Sequence, residues 1–145
     1  MKDQSITCMD LDHATEKARS WLYNEALPLW SQSGIDQKNG GFIERLDLSG
    51  CPLDVGYKRT RVTGRQIFVF CHAYQSGFKQ YGQLIEHGLD FLLRFQKGQR
   101  KGEWRRSVTS AGKTFDDTID LYDYAFVLFG LAWWHRISSD NVAKK

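Results

Sequence analysis

The sequence predicts an all-α fold of paired helices, an (α/α) stack or ring, and three observations carry that prediction. Apolar residues recur at helical spacing over four segments. A glycine-bounded strand-turn follows the first helix of each pair, and its two copies align without a gap. The last helix is apolar almost all round, as expected of a helix packed on several sides. Units repeated at this scale bury their faces on their neighbours, which makes a stack or a curved array.

The first helix is predicted from Asp12 to Trp30, where Ala14, Ala18, Trp21, Leu22 and Leu29 recur behind Asp12 as N-cap and before Gly34 as stop. Pro28, in its last turns, removes a donor and crowds the preceding turn, so a kink or a shortened helix is expected there. Gly40 to Gly50 places Phe42, Glu44 and Leu46 on one parity between glycines, which predicts a short strand and turn. A second helix runs from Arg61 to Gly77, its stripe of Val62, Phe70, Ala73 and Tyr74 broadened by Ile67, Phe68 and Val69, with Gly77 placed to end it. Leu84, Ile85, Gly88, Leu89, Leu92 and Leu93 then form the clearest amphipathic helix, antiparallel to the second because the connection is short.

The loop from Gly102 to Asp116 repeats the earlier one. Trp104 falls on Phe42, Val108 on Leu46, Gly112 on Gly50, Phe115 on Leu53 and Asp116 on Asp54. A fourth helix, Ile119 to about Ile137, sets Phe126-Val127-Leu128-Phe129 against Ile67-Phe68-Val69-Phe70 of the second, giving a period of about 60 residues. Helices one and three have polar faces and are placed outside the curve. Helices two and four are placed inside, with Leu121 to Trp134 expected to be buried. Both long loops then lie at one end, beside the N-termini of the inner helices, where unpaired N–H groups and the helix dipole favour negative charge.

With 145 residues, 41% apolar and 14% aromatic, the chain can bury a core. Its formal charge of +3 comes from 20 basic against 17 acidic residues. The densest basic runs, Lys58-Arg59-Thr60-Arg61 and Arg100-Lys101 with Arg105-Arg106, are short and interrupted, so no nucleic-acid partner is expected. Acidic residues stand where a signal peptide needs an apolar core, and Leu121 to Trp134 is shorter than the roughly 18 residues that cross a bilayer. No membrane partner is expected, and a cytoplasmic location is. Cys8, Cys51 and Cys71 are odd in number and far apart, which argues against a disulfide framework; His13, His72, His87 and His135 are dispersed, and no metal site is predicted.

Arg65 is the most informative single residue. It lies early in a helix whose stripe is apolar and aromatic, and a guanidinium there is costly unless it is paired. It would either clamp an anionic or hydroxyl oxygen of a ligand or pair with Glu44 or Asp54. Arg59 and Arg61 read as loop contacts. Tyr122 and Tyr124 open the fourth helix, either as donors to a substrate oxygen or as core aromatics. Trp104 and Phe42 head equivalent loops, either as hydrophobic plugs or as a face for a sugar ring. Asp116, Asp117 and Asp120 read as helix caps ahead of a glycosidase acid and base.

Four collinear stretches, Gly34 to Asp47, Lys58 to Phe70, His87 to Leu92 and Asp120 to Leu128, resemble the N-acylglucosamine 2-epimerase family, which includes cellobiose 2-epimerases and mannose and sulfoquinovose isomerases. The resemblance implies an (α/α)6 barrel of six helical pairs. Residues 12–138 would form its N-terminal arc, between a flexible N-terminus (1–11) and a flexible or truncated C-terminus (139–145). It implies a sugar 2-epimerase or aldose-ketose isomerase acting at C1/C2 of a free aldohexose or N-acylhexosamine. A histidine would take the C2 proton, and a second group would return a proton to C2 or C1 of an enediolate. Arg65 matches the family's active-site arginine in Arg-Gln-Ile-Phe-Val-Phe, and Tyr122 its substrate-contacting tyrosine; Tyr124 and Trp104 are the further candidates for substrate contact. No cofactor is implied. The partners expected are a monosaccharide or disaccharide and either a second copy or a missing C-terminal segment. None of the four histidines sits in a catalytic-histidine motif of the family, so the chain alone is expected to be inactive. Two other classes remain: a non-catalytic helical-repeat segment that pairs with another chain, and an (α/α) glycoside hydrolase fragment using Asp116, Asp117 and Asp120.

Overall fold

A computed structural model describes residues 8–142, so most of the expected flexible N-terminus and the last three residues of the C-terminal one lie outside the described residues. Helix α1 (Cys8–Trp21) passes through one π-helical turn, Leu22–Ala26, into α2 (Leu27–Ser33). Asp12 therefore lies inside α1 and is not its N-cap. Pro28 does not shorten the helix. The Leu27 N–H reaches back to the Leu22 carbonyl across the wide turn, and Pro28 falls in the first residues of α2, where a missing N–H is tolerated. Gly34 stops α2, its N–H donating to the Trp30 carbonyl at 3.0 Å.

Strands β1 (Arg45–Leu46) and β2 (Pro52–Leu53) form the first hairpin. Strand β3 (Tyr57–Arg59) leads into α3 (Thr60–Gln75). Helix α3 ends on Gly77 at φ +107, where the Gly77 N–H meets the Tyr74 carbonyl and the Phe78 N–H the Ala73 carbonyl; the left-handed residue satisfies the last carbonyls. Helix α4 (Gly82–Phe95) returns antiparallel to α3, with Gly82 beside Tyr74 at one end and Gln96 beside the Lys58 carbonyl at the other. Strands β4 (Ser107–Thr109) and β5 (Thr114–Asp116) make the second hairpin, and β4 also pairs with β3. Helix α5 (Leu121–Val142) completes the described chain.

The repeat read from the sequence is present in the backbone. Single bridges join Ile35 to Phe42 and, 62 residues on, Lys97 to Trp104. The helices before them end at corresponding residues, Ser33 and Phe95. The hairpin turns carry glycines at φ +83 (Gly50) and +84 (Gly112), a region that suits glycine alone. The core gathers around α3, with Ile67, Phe70, Cys71 and Ala73 meeting Leu27, Phe42, Ile85, Leu89 and Leu92. At Gly88 a Cβ would lie 2.3 Å from the Phe42 ring, so the glycine lets α4 close on the first loop.

Helices α3 and α5 run side by side and parallel, since Arg65 meets Tyr122 near their starts, Phe68 meets Phe129, and His72 meets Trp133 further along. They cross at two glycines. A Cβ on Gly64 would lie 2.5 Å from the Phe126 carbonyl oxygen, and one on Gly130 would lie 2.6 Å from that of Gly64. The expected burial of Leu121 to Trp134 is not met. Leu121 is 80% and Leu128 65% exposed, because α3 covers one side of an otherwise apolar helix. Among the described residues, no helix is long and apolar enough to cross a membrane.

Candidate functional site

The first turns of α3 and α5 lie together at the hairpin end of the fold. Thr60 opens α3 and is fastened to the second loop, its N–H donating to the Arg106 carbonyl at 3.0 Å and its hydroxyl to that of Arg105. Asp120 caps α5, its Oδ1 accepting the Tyr122 N–H at 2.9 Å.

Between these starts, the Arg65 guanidinium donates to the Tyr122 hydroxyl at 2.7 Å and lies 3.9 Å from the centre of the Phe126 ring. Two aromatic faces thus hold the cation in place. Among the described residues Arg65 has no carboxylate partner. The carboxylates that the sequence offered it are engaged elsewhere. Glu44 pairs with Arg59 and also accepts its backbone N–H at 2.9 Å. Asp54 accepts the Gly56 N–H at 2.8 Å and the Ser110 hydroxyl at 2.9 Å. Tyr122 is 54% exposed, so the Arg65–Tyr122 pair is open to solvent. Arg65 and Gln66 also line an apolar groove of about 350 Å³, walled by Trp21, Leu27, Trp30 and Phe70.

Arg61 and Asp123 supply a contact that the sequence reading missed. Arg61 Nη1 meets Asp123 Oδ1 at 3.2 Å, and the guanidinium lies 5.8 Å from the Tyr122 ring centre. Asp123 is 1% exposed and its Oδ2 has no partner among the described residues. Burial raises its pKa above the usual carboxylate value, outweighing the opposite pull of Arg61. The signal was present in the sequence: a lone carboxylate one turn into an apolar helix needs a cation.

Tyr124 and Trp104 form a second pair, in which the Trp104 N–H donates to the Tyr124 hydroxyl at 3.1 Å. The Trp104 ring packs against the core, as Phe42 does in the first unit, which is the plug arrangement. The remaining side of Trp104 borders a cleft of about 240 Å³ with Arg105, Asp117 and Ile119. The structure therefore brings Arg65 to Tyr122 and Tyr124 to Trp104.

The three aspartates ahead of α5 hold the loop. Asp116 accepts the Thr118 N–H at 2.9 Å, Asp117 pairs with Arg105 at 3.1 Å, and Asp120 is the cap. Hydrogen bonds from Thr118 keep the Asp116 pKa below its ordinary value, the wrong direction for a general acid. Nothing in this arrangement favours a glycosidase.

Behind the site, Lys58 donates to Asp36 at 2.7 Å and lies 4.5 Å from the centre of the Phe91 ring, with both charged groups buried. Burial works against the Asp36 carboxylate, but hydrogen bonds from Lys58 and Asn39 outweigh it and hold the pKa below the usual range. Among the described residues no three His, Cys, Asp or Glu side chains are grouped so as to hold a metal ion.

A family model described as N-acylglucosamine 2-epimerase matches residues 41–144. A mannose-6-phosphate isomerase from Rhizobium meliloti is 35% identical over 125 residues, 86% of this chain and 32% of that protein. A cellobiose 2-epimerase from Dictyoglomus turgidum is 28% identical over 130 residues, 88% of this chain and 33% of that protein. The structure of a cellobiose 2-epimerase from Spirochaeta thermophila superposes with a TM-score of 0.81 at 23% identity, covering 96% of this chain and 34% of that one, a likeness of fold. The chain spans about a third of the length of these relatives.

Proposed function

Since this chain belongs to the N-acylglucosamine 2-epimerase family, we propose that it is the N-terminal arc of an (α/α)6 toroid acting at C1/C2 of a free sugar, as a 2-epimerase or an aldose-ketose isomerase. The observation that carries this reading is Arg65, a guanidinium with no carboxylate partner among the described residues, held by two aromatic rings at the start of a helix and directed at an exposed phenol.

Removing a proton from the carbon next to a carbonyl leaves an enediolate, whose charge collects on oxygen. A positioned guanidinium meets that charge without reorganising, and one such donor is worth about 10² to 10³ in rate. Arg65 supplies this contact. Tyr122 accepts from Arg65, which leaves its own O–H to donate to a neighbouring sugar hydroxyl. Tyr124 and Trp104 are the further substrate contacts, with the Tyr124 hydroxyl accepting from the Trp104 backbone N–H and so fixing the loop that carries Trp104.

The proton-transfer groups belong outside these two units. The His87 ring nitrogen is bonded to the Gly41 carbonyl at 2.8 Å, and His72 packs at a tilt against Phe68 and Trp133 further along α3. The chain alone is therefore proposed to be inactive on mannose, glucose, fructose and N-acetylmannosamine, and clear turnover would refute that assignment.

The residue roles are tested in a full-length family member carrying Arg→Ala at the position of Arg65. Exchange of the C2 proton in heavy water should fall about 10² to 10³-fold. Exchange at the normal rate would remove Arg65 from the chemistry. Tyr→Phe at the position of Tyr122 should raise KM more than it lowers kcat.

A further inference from the structure

Asp123 is costly where it lies. It follows Tyr122 in α5 but turns the other way, 1% exposed and bonded to α3, while Tyr122 is open to solvent. Its Oδ1 accepts from Arg61 Nη1 at 3.2 Å, and its Oδ2 has no partner among the described residues. A buried ion pair left half-satisfied is a poor way to fasten one helix to another, since apolar side chains of similar volume do so without the desolvation cost. The two helices are in any case held by their close approach at Gly64 and Gly130 and by Phe68 against Phe129. The charge on Asp123 therefore calls for a reason other than helix docking.

That reason lies in the two arginines opposite it. Arg61 and Arg65 are one turn apart on α3, a spacing at which like charges repel. Their guanidinium carbons lie 5.8 and 5.5 Å from the centre of the Tyr122 ring, so both stand beside the same phenol. Among the described residues only Arg65 is bonded to the phenol oxygen, at 2.7 Å, while Arg61 is turned to Asp123. The Asp123 carboxylate also offsets the charge of Arg61, and Arg65 keeps its own. We propose that Asp123 is a positioning residue for the Arg65–Tyr122 pair, one that restrains Arg61 from the Tyr122 hydroxyl and so leaves that oxygen to Arg65. Its part in a reaction rests on the enediolate reading of Arg65, whereas the restraint itself does not.

Asp123→Asn removes the charge and nearly keeps the shape. In this chain, nuclear Overhauser contacts between the Arg65 side chain and the Tyr122 ring should be lost in that variant and contacts from Arg61 to the ring gained. Adding Arg61→Met should restore the Arg65 contacts, because no competing cation is left. A merely structural ion pair would lower the unfolding midpoint when broken and leave these contacts as they were. In a full-length family member, Asp→Asn at the position of Asp123 should slow C2 exchange about tenfold or more with little change in KM, and Arg→Met at the position of Arg61 should restore most of the rate. The larger protein carries the same comparison should Asp123→Asn unfold the short chain. Unchanged Arg65 contacts in Asp123→Asn, or a loss of contact or of exchange that Arg61→Met does not reverse, would overturn the proposal. Normal exchange with Arg→Ala at the position of Arg65 would refute the enediolate reading alone, since the contacts are measured without sugar.

Discussion

Gly64→Ala tests the crossing of α3 and α5 with the smallest change available. The new Cβ would lie 2.5 Å from the Phe126 carbonyl oxygen, 2.8 Å from its carbon and 3.1 Å from the Val127 nitrogen. Carbon and oxygen settle near 3.3 Å or more, so α5 must retreat by roughly 1 Å. The opposing atoms are backbone inside a helix and cannot rotate aside. Overpacking of this kind costs about 1 to 3 kcal/mol, and alanine's better helix propensity returns about 1 kcal/mol, leaving a net loss of about 0 to 2 kcal/mol. Urea unfolding followed by tryptophan fluorescence measures it, because Trp104 and Trp133 sit near the junction. Gly130→Ala should behave alike, meeting the Gly64 carbonyl oxygen at 2.6 Å. The double variant should lose less than the sum, since one separation of the helices relieves both contacts. A raised midpoint for Gly64→Ala would refute the close crossing.

Asp36, with its pKa held down in the folded chain, contributes stability that is present above the ordinary carboxylate pKa and lost as pH falls through the folded value. The chain should therefore lose stability in acid, below about pH 4, and Asp36→Asn should flatten that slope. The same variant should lose about 3 to 5 kcal/mol at neutral pH, because it leaves Lys58, 3% exposed, without its partner; denaturant titrations at several pH values read both effects. The thiol of Cys71, which burial pushes up to about 12, should react with a disulfide reagent only as the chain unfolds, whereas exposed Cys51 should react at once. Peptide mass analysis during labelling distinguishes them, and fast labelling of Cys71 would contradict its burial.

The repeat was legible because its markers are local: glycines that need positive φ, and one parity of apolar residues between them. The ends of α3 and α4 fall within about two residues of the expected ones for the same reason. The first helix was legible only in part. The π-helical turn inserts an extra residue, which rotates α1 by about 100° against α2. Every residue from Asp10 to Trp21 is exposed while Leu22 and Tyr23 are half-buried and Leu27 is buried, so the stripe drawn through this region packs only in its later turns. The openness of α5 was not legible, because an apolar composition states that a helix should be covered and not which elements cover it. The Arg61–Asp123 pair joins residues 62 apart along the chain, and the parallel arrangement of α3 and α5 is needed to bring them together.

Arg65 and Tyr122 belong to successive units, so the proposed site exists only where two units meet. A ligand touching both side chains spans that junction as a strap would, and binding and unit docking become linked equilibria. At a free concentration ten times its Kd, such a ligand adds about 1.4 kcal/mol to the hold of one unit on the next. A sugar at this position would protect the junction against unfolding as well as being presented for reaction, and a change that loosens the crossing at Gly64 would weaken affinity without touching a ligand atom.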